Sequence, residues 1–245
     1  MTTSREDLEE IARVALEIKA RQWKDDPYLW AVECVRTQDE ATQQLLPFPK
    51  DLTYVQDMFE VLQTESMIVF PKSRRMFVTW AVATWALHRI RFHRYNAIFW
   101  QSLQESKAAY VVDERMKFIE DTLDPMYQKE YLAIKTKTGA VGKLQYKESG
   151  SFVLAIPQGD DQIRSFTPSV LICDEIEHQP EGPAAIKAAL STVEKNAKIV
   201  LIGTSDGPGR PIAEICEGVG FTSFPKFYGS SMVSLAEVKD ATTTP

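Results

Sequence analysis

Short apolar runs punctuate the chain, among them Met67–Phe70, Ala97–Trp100, Val170–Cys173 and Ile199–Ile202. None alternates with polar residues. A strand with one wet face alternates, whereas an unbroken apolar run is buried on both faces, as in a parallel sheet covered by helices. Helical patterns separate the runs. Phe77 to about His88 is nearly all apolar, which predicts a helix buried on most sides. Ser151–Ile156, after the Gly150 turn, adds a further strand. The alternation predicts an α/β fold around a mainly parallel sheet, with ligands at the carboxyl ends of the strands.

Around this centre, Asp51 is placed to cap a helix running to about Thr64. Ser102-Leu103-Gln104-Glu105 reads as a capping box opening the next helix. Ala184–Leu190 reads as another helix. In front, Leu8, Ile11, Ala15 and Ile18 recur on one helical face, and Asp26-Pro27 is a helix start with Asp as N-cap. Leu46-Pro47-Phe48-Pro49-Lys50 breaks this region from the next. The expected organisation is a helical appendage over residues 1–45, an α/β domain over 46–230, and a flexible tail or start of a linker over 231–245.

With 245 residues, 44% of them hydrophobic, the chain can bury one sizeable core. The net charge of −6 excludes a global basic field, so any nucleic-acid contact must be a local patch. Cys34, Cys173 and Cys216 lie far apart, which argues against a disulfide framework or a Cys-x-x-Cys metal site and suits a reducing compartment. The amino terminus is polar and charged, with no visible signal peptide, and no apolar run reaches membrane-spanning length.

The sharpest chemical signal is Val170-Leu171-Ile172-Cys173-Asp174-Glu175. A buried strand delivers two adjacent acids, and unpartnered carboxylates there would be costly. At a strand's end they can serve a metal and a water. Asp174 then holds Mg²⁺ through water, and Glu175 orients and deprotonates the attacking water, the Walker B arrangement with an added glutamate. The plainer reading is a pair of acids capping the next helix.

A second signal precedes the apolar helix. Lys72-Ser73-Arg74-Arg75-Met76-Phe77-Val78-Thr79 joins a strand to a helix where a P-loop would sit, without its glycines and usual lysine. A triphosphate needs backbone N–H groups at a helix start, a cation and a hydroxyl on Mg²⁺. Thr79 offers the hydroxyl, Lys72 a displaced lysine, and Arg74 or Arg75 a further cation. The alternative is a basic loop leading into a core helix. Third, Ile202-Gly203-Thr204-Ser205 brings small polar side chains to the same sheet edge, where Thr204 or Ser205 could sense the γ-phosphate; a plain glycine turn is the competing reading.

These three features, in this order, resemble the ATPase domain of the large terminase subunit, the DNA-packaging motor of tailed bacteriophages. The resemblance implies a P-loop NTPase fold of the ASCE type, with a mainly parallel sheet flanked by helices. Ser73, Arg74 and Thr79 match a family variant of the loop, and Lys72 stands where other terminases move the lysine. Phe77 and Val78 depart from it. Pro47-Phe48-Pro49 followed by Tyr54-Val55-Gln56 resembles the adenine-binding Q motif, with Gln56 reading the base edge. Trp100-Gln101-Ser102 through Phe118, and Gly150 through Arg164, resemble the segments before Walker B, and Thr204-Ser205 the coupling motif. The family implies ATP and Mg²⁺ as cofactors. It further implies double-stranded DNA, a portal protein and a small terminase subunit as partners, a homo-oligomeric ring, no membrane, and the host cell cytoplasm. The family's nuclease domain is not expected within these residues.

Arg74 is the expected cis arginine finger, with Arg164 as a trans candidate; a salt-bridged structural role suits Arg164 equally. His88-Arg89-Ile90-Arg91-Phe92-His93-Arg94 is the densest basic stretch, read first as the end of a buried helix and second as a DNA contact. His178 reads as a polar loop residue, and the three histidines lack metal-ligand spacing. Two other functions stay open: a helicase-like, nucleic-acid-stimulated ATPase, and a degenerate nucleotide-binding or assembly module with little turnover.

Overall fold

The structure, a computed structural model, describes residues 5–39, 41–72, 76–159, 168–179 and 197–204. In chain order the described elements are α1 (Arg5–Asp25), α2 (Pro27–Cys34), β1 (Arg36–Gln38), β2 (Leu45–Pro47), α3 (Thr53–Thr64), β3 (Met67–Lys72), α4 (Val78–Phe92), β4 (Ala97–Ser102), α5 (Glu105–Val111), α6 (Phe118–Thr122), β5 (Tyr131–Lys135), β6 (Val141–Tyr146), β7 (Phe152–Pro157), β8 (Val170–Cys173) and β9 (Lys198–Thr204). A π-helical turn, Val112–Lys117, joins α5 to α6, so the three run as one continuous helix.

β3 to β9 form a seven-stranded sheet in the order β3-β9-β8-β4-β7-β6-β5. The five strands from β3 to β7 pair in parallel, while β6 and β5 extend the sheet as an antiparallel hairpin. The apolar runs divide by parity. Ile68, Phe70, Ile98, Trp100, Val170, Ile172, Val200 and Ile202 pack in one core with α4. Val69, Phe99, Leu171, Cys173, Ile199 and Leu201 pack in a second core on the opposite face. Burial on both faces is why these strands read as unbroken apolar runs.

α4 is buried nearly all round, as its composition predicts. Its polar exceptions are structural. His88 is buried and its Nε2 donates to the Trp23 carbonyl at 2.6 Å. Burial pushes the imidazole down to about 3, so it stays neutral. Arg91 is buried against the Glu120 carboxylate, which also accepts from the Tyr146 hydroxyl. The basic stretch 88–94 is therefore in large part core.

The front helices are fastened to this core. Asp26 caps α2 by accepting from Leu29 N at 2.9 Å, with Pro27 in the first turn, as the sequence predicts. Trp23 and Trp30 join the same core as α4, whereas Ile11 and Ile18 of α1 face solvent. Two expected caps are not used. Leu52, not Asp51, occupies the cap position of α3, without a side-chain bond. Ser102 ends β4, and α5 begins at Glu105 after Gln104, because the strand pairs with β7 through Ser102 and takes that residue out of capping geometry. The helix expected over 184–190 lies outside the described residues. No helix among the described residues is long and apolar enough to cross a membrane.

Candidate nucleotide site

The parity that sorts the core also aims the strand ends. Lys72 continues the Ile68, Phe70 series, Ser102 the Ile98, Trp100 series, Asp174 the Val170, Ile172 series, and Thr204 the Val200, Ile202 series. All four strands thus turn a polar residue toward the α4 side at their carboxyl ends. Lys72, Ser102 and Asp174 line a cleft of about 560 Å³ together with Thr79 of α4 and Glu175. That volume falls within the usual range for ligand pockets. Thr204 pairs in register with Lys72, which sets it at the same edge.

Asp174 is buried, and desolvation pushes its carboxyl up to about 6. The Lys72 ammonium opposes that shift and the neighbouring Glu175 adds to it. Its backbone is pinned: Asp174 N donates to Gln101 O at 2.8 Å, and Gln179 Nε2 donates to Asp174 O at 2.7 Å. A rigid, desolvated carboxylate in the same cleft as the Thr79 hydroxyl suits a hydrated divalent cation. Glu175 takes a left-handed conformation, φ 55°, and its N–H donates to Asp174 Oδ1 at 3.0 Å. Few non-glycine residues adopt that conformation, and those that do concentrate at functional sites.

Just before α4, a non-glycine residue holds a conformation that glycine favours. Phe77 caps α4 at φ 59°, a left-handed conformation that glycine adopts freely. Its ring packs on Phe48 at 5.3 Å and stacks on Trp80 at 6.3 Å between centroids. The Tyr54 hydroxyl donates to Met76 O at 3.0 Å and ties α3 to the loop. Ser73, Arg74 and Arg75 lie outside the described residues, as do Arg164 and Ser205. Gln56 is exposed on α3 and does not line the cleft; Phe48 is committed to the core.

Two cations not singled out in the sequence line the same cleft. Lys107 of α5 reaches Glu175 Oε2 at 3.3 Å. Arg115, in the π-helical turn, lies over the Trp80 ring at 4.4 Å and the Tyr110 ring at 5.2 Å. Lys107 and Tyr110 follow a strand end at helical spacing, a signal the sequence does carry. The inward turn of Arg115 is tied to the π-helical widening, which no local pattern announces. His178 is exposed outside the cleft, and no cluster of three His, Cys, Asp or Glu suited to a metal occurs among the described residues.

β9 lies between β3 and β8, the strand bearing the paired acids, and this strand order gives the chain an α/β P-loop NTPase fold of the ASCE type. The fold is similar to that of solved phage large terminases. The HK97 bacteriophage large terminase superposes with a TM-score of 0.60 at 12% identity, over 83% of this chain and 42% of that one. The large terminase of the thermophilic bacteriophage D6E follows with a TM-score of 0.49 at 13% identity, over 64% of this chain and 39% of that one. The N-terminal domain of the DNA packaging ATPase from bacteriophage phi29 gives 0.46 at 12% identity, over 69% of this chain and 85% of that one. The chain thus spans less than half of the HK97 protein. No protein-family model and no curated protein matches the sequence.

Proposed function

We propose that this chain is a Mg²⁺-dependent ATPase that drives double-stranded DNA into a viral procapsid, as the ATPase part of a large terminase. The observation that carries this reading is the convergence of Lys72, Thr79, Asp174 and Glu175 on one cleft, in an ASCE sheet. Lys72 balances phosphate charge from the end of β3. Thr79 and Asp174 would hold Mg²⁺, which would supply positive charge to offset that of the phosphates. Glu175 orients the attacking water and accepts its proton. Ser73, Arg74 and Arg75 complete the phosphate cradle, with Arg74 as the cis arginine finger. Thr204 and Ser205 report hydrolysis to the rest of the domain. The motor works as a ring of copies with a portal protein and a small terminase subunit in the host cytoplasm.

The deciding measurement is phosphate release from ATP–Mg²⁺, with and without duplex DNA, for the wild type and Glu175→Gln. Turnover in the first that is lost in the second supports the reading. A Glu175→Gln protein as fast as wild type overturns the assignment of the base. One observation favours a second reading: Phe77, its ring packed on Phe48 and Trp80, stands at the cleft where glycine would bring the backbone closest to phosphate. Nucleotide binding without turnover, with DNA and at high protein concentration, identifies a non-hydrolysing assembly module instead.

A further inference from the structure

At the far end of the sheet from β3, β5 and β6 form a hairpin whose outer strand is exposed along most of its length, with Leu132 at 46% and Ile134 at 51%. The turn is closed by Thr136 N on Ala140 O at 2.8 Å and by Gly139 N on Thr136 O at 3.1 Å. The register shifts between Ile134 and Lys135, so the tip bends away from regular pairing.

Its charge is the reverse of the chain's. Acidic residues number 34 in 245, about one in seven, yet none falls between Tyr131 and Lys147, which hold Lys135, Lys137, Lys143 and Lys147. Lys147 is paired with Glu130 at the root. Lys135 and Lys137 are exposed at the tip. Lys143 stands opposite Ile134, its ammonium 4.3 Å from the centre of the Phe152 ring. A lysine on an outer strand is ordinary protection against edge-to-edge pairing, and that accounts for Lys135. It does not account for Lys143, on the inner strand, or for Lys137, in the turn.

We propose that this hairpin is a contact surface for the phosphate backbone of duplex DNA, with Lys135, Lys137 and Lys143 each neutralising a phosphate. The charge pattern asks for a polyanion; the choice of duplex DNA rests on the packaging reading above. Only the tip of the hairpin projects beyond the pairing of β6 with β7, which starts at Lys143, and that tip is narrow enough to meet a groove. Lysines on backbone phosphates fix position without reading sequence, which suits a protein that must move along any DNA.

The test titrates the full chain with labelled duplex DNA across a salt series, as wild type and as Lys135→Ala/Lys137→Ala/Lys143→Ala. The slope of log affinity against log salt is expected to become shallower by about 2.7, some 0.9 per lost phosphate contact. Affinity should fall at least tenfold at low salt, with ATP–Mg²⁺ affinity unchanged because the hairpin lies outside the cleft. A denaturant midpoint equal to wild type shows that the variant is folded. An unchanged slope and affinity overturn the proposal. So does loss of self-association with DNA binding intact, which makes a second copy the partner, or a wild type that binds anionic vesicles but not DNA. Failure of the ATPase reading shows separately, as a wild-type chain that releases no phosphate.

Discussion

The Lys107 ammonium stands 3.3 Å from Glu175 Oε2, linking α5 to the turn after β8 within the cleft. Both side chains are close to half exposed, so the pair contributes about 0–1 kcal/mol to stability. Lys107→Ala should leave the denaturation midpoint nearly unchanged. It also removes a positive charge from the cleft wall, and ATP–Mg²⁺ affinity should fall about tenfold, the equivalent of 1.4 kcal/mol. Nucleotide titration decides: unchanged affinity would mean that Lys107 serves Glu175 alone.

Glu175→Gln preserves shape and removes the proton acceptor. Turnover should drop by on the order of 10²–10⁴, with nucleotide affinity within a few-fold of wild type. Single-turnover phosphate release separates this from a binding defect.

Phe77 makes the strain at the loop measurable. Removing its ring loses the contacts with Phe48 and Trp80 in both Phe77→Ala and Phe77→Gly. Only alanine must still hold φ near 59° with a Cβ. Phe77→Gly should therefore be more stable than Phe77→Ala by about 1 kcal/mol. Equal stabilities in denaturant would show that the left-handed conformation is not kept.

Glu120 is fully buried against Arg91, and its carboxylate also accepts from Lys129 N at 2.9 Å. Glu120→Ala leaves a buried guanidinium uncompensated and should destabilise the fold by about 3–5 kcal/mol. A loss below about 1 kcal/mol would mean that the charge escapes to water.

His88 gives the fold an acid sensitivity. Its pKa is about 3 in the folded chain, against an ordinary value of 6.5. Below pH 6.5 the unfolded chain takes up a proton that the folded one refuses, so stability is lost as pH falls from 6.5 toward 3. The slope is up to about 1.4 kcal/mol per pH unit from this residue. His88→Gln should flatten the curve over that window; an unchanged slope would place the sensitivity elsewhere.

Much of the fold is written locally. Val170–Cys173 is a strand with the predicted ends, and α4 is buried as its composition requires. The caps were legible in part. Asp26 caps α2 as its chemistry predicts, whereas Asp51 lies one residue before the cap position of α3, and Ser102 two before that of α5 because pairing of β4 with β7 extends the strand through it. The hairpin of β5 and β6 was less legible: Tyr131–Ile134 is a short apolar run, yet most of it is exposed, so its place at the sheet edge does not follow from its composition.

By itself the sequence determined which residues stand at strand ends and which way they point. Period-two alternation carries Lys72 and Asp174 to the same face as Phe70 and Ile172, a property of the chain read one strand at a time. Only the tertiary structure decided what meets there. That β9 lies between β3 and β8, that Lys107 reaches Glu175, and that the π-helical turn carries Arg115 onto Trp80 all depend on strand order and helix packing. These contacts join residues tens of positions apart. Their stability comes from burial of the assembled layers, which no local pattern encodes.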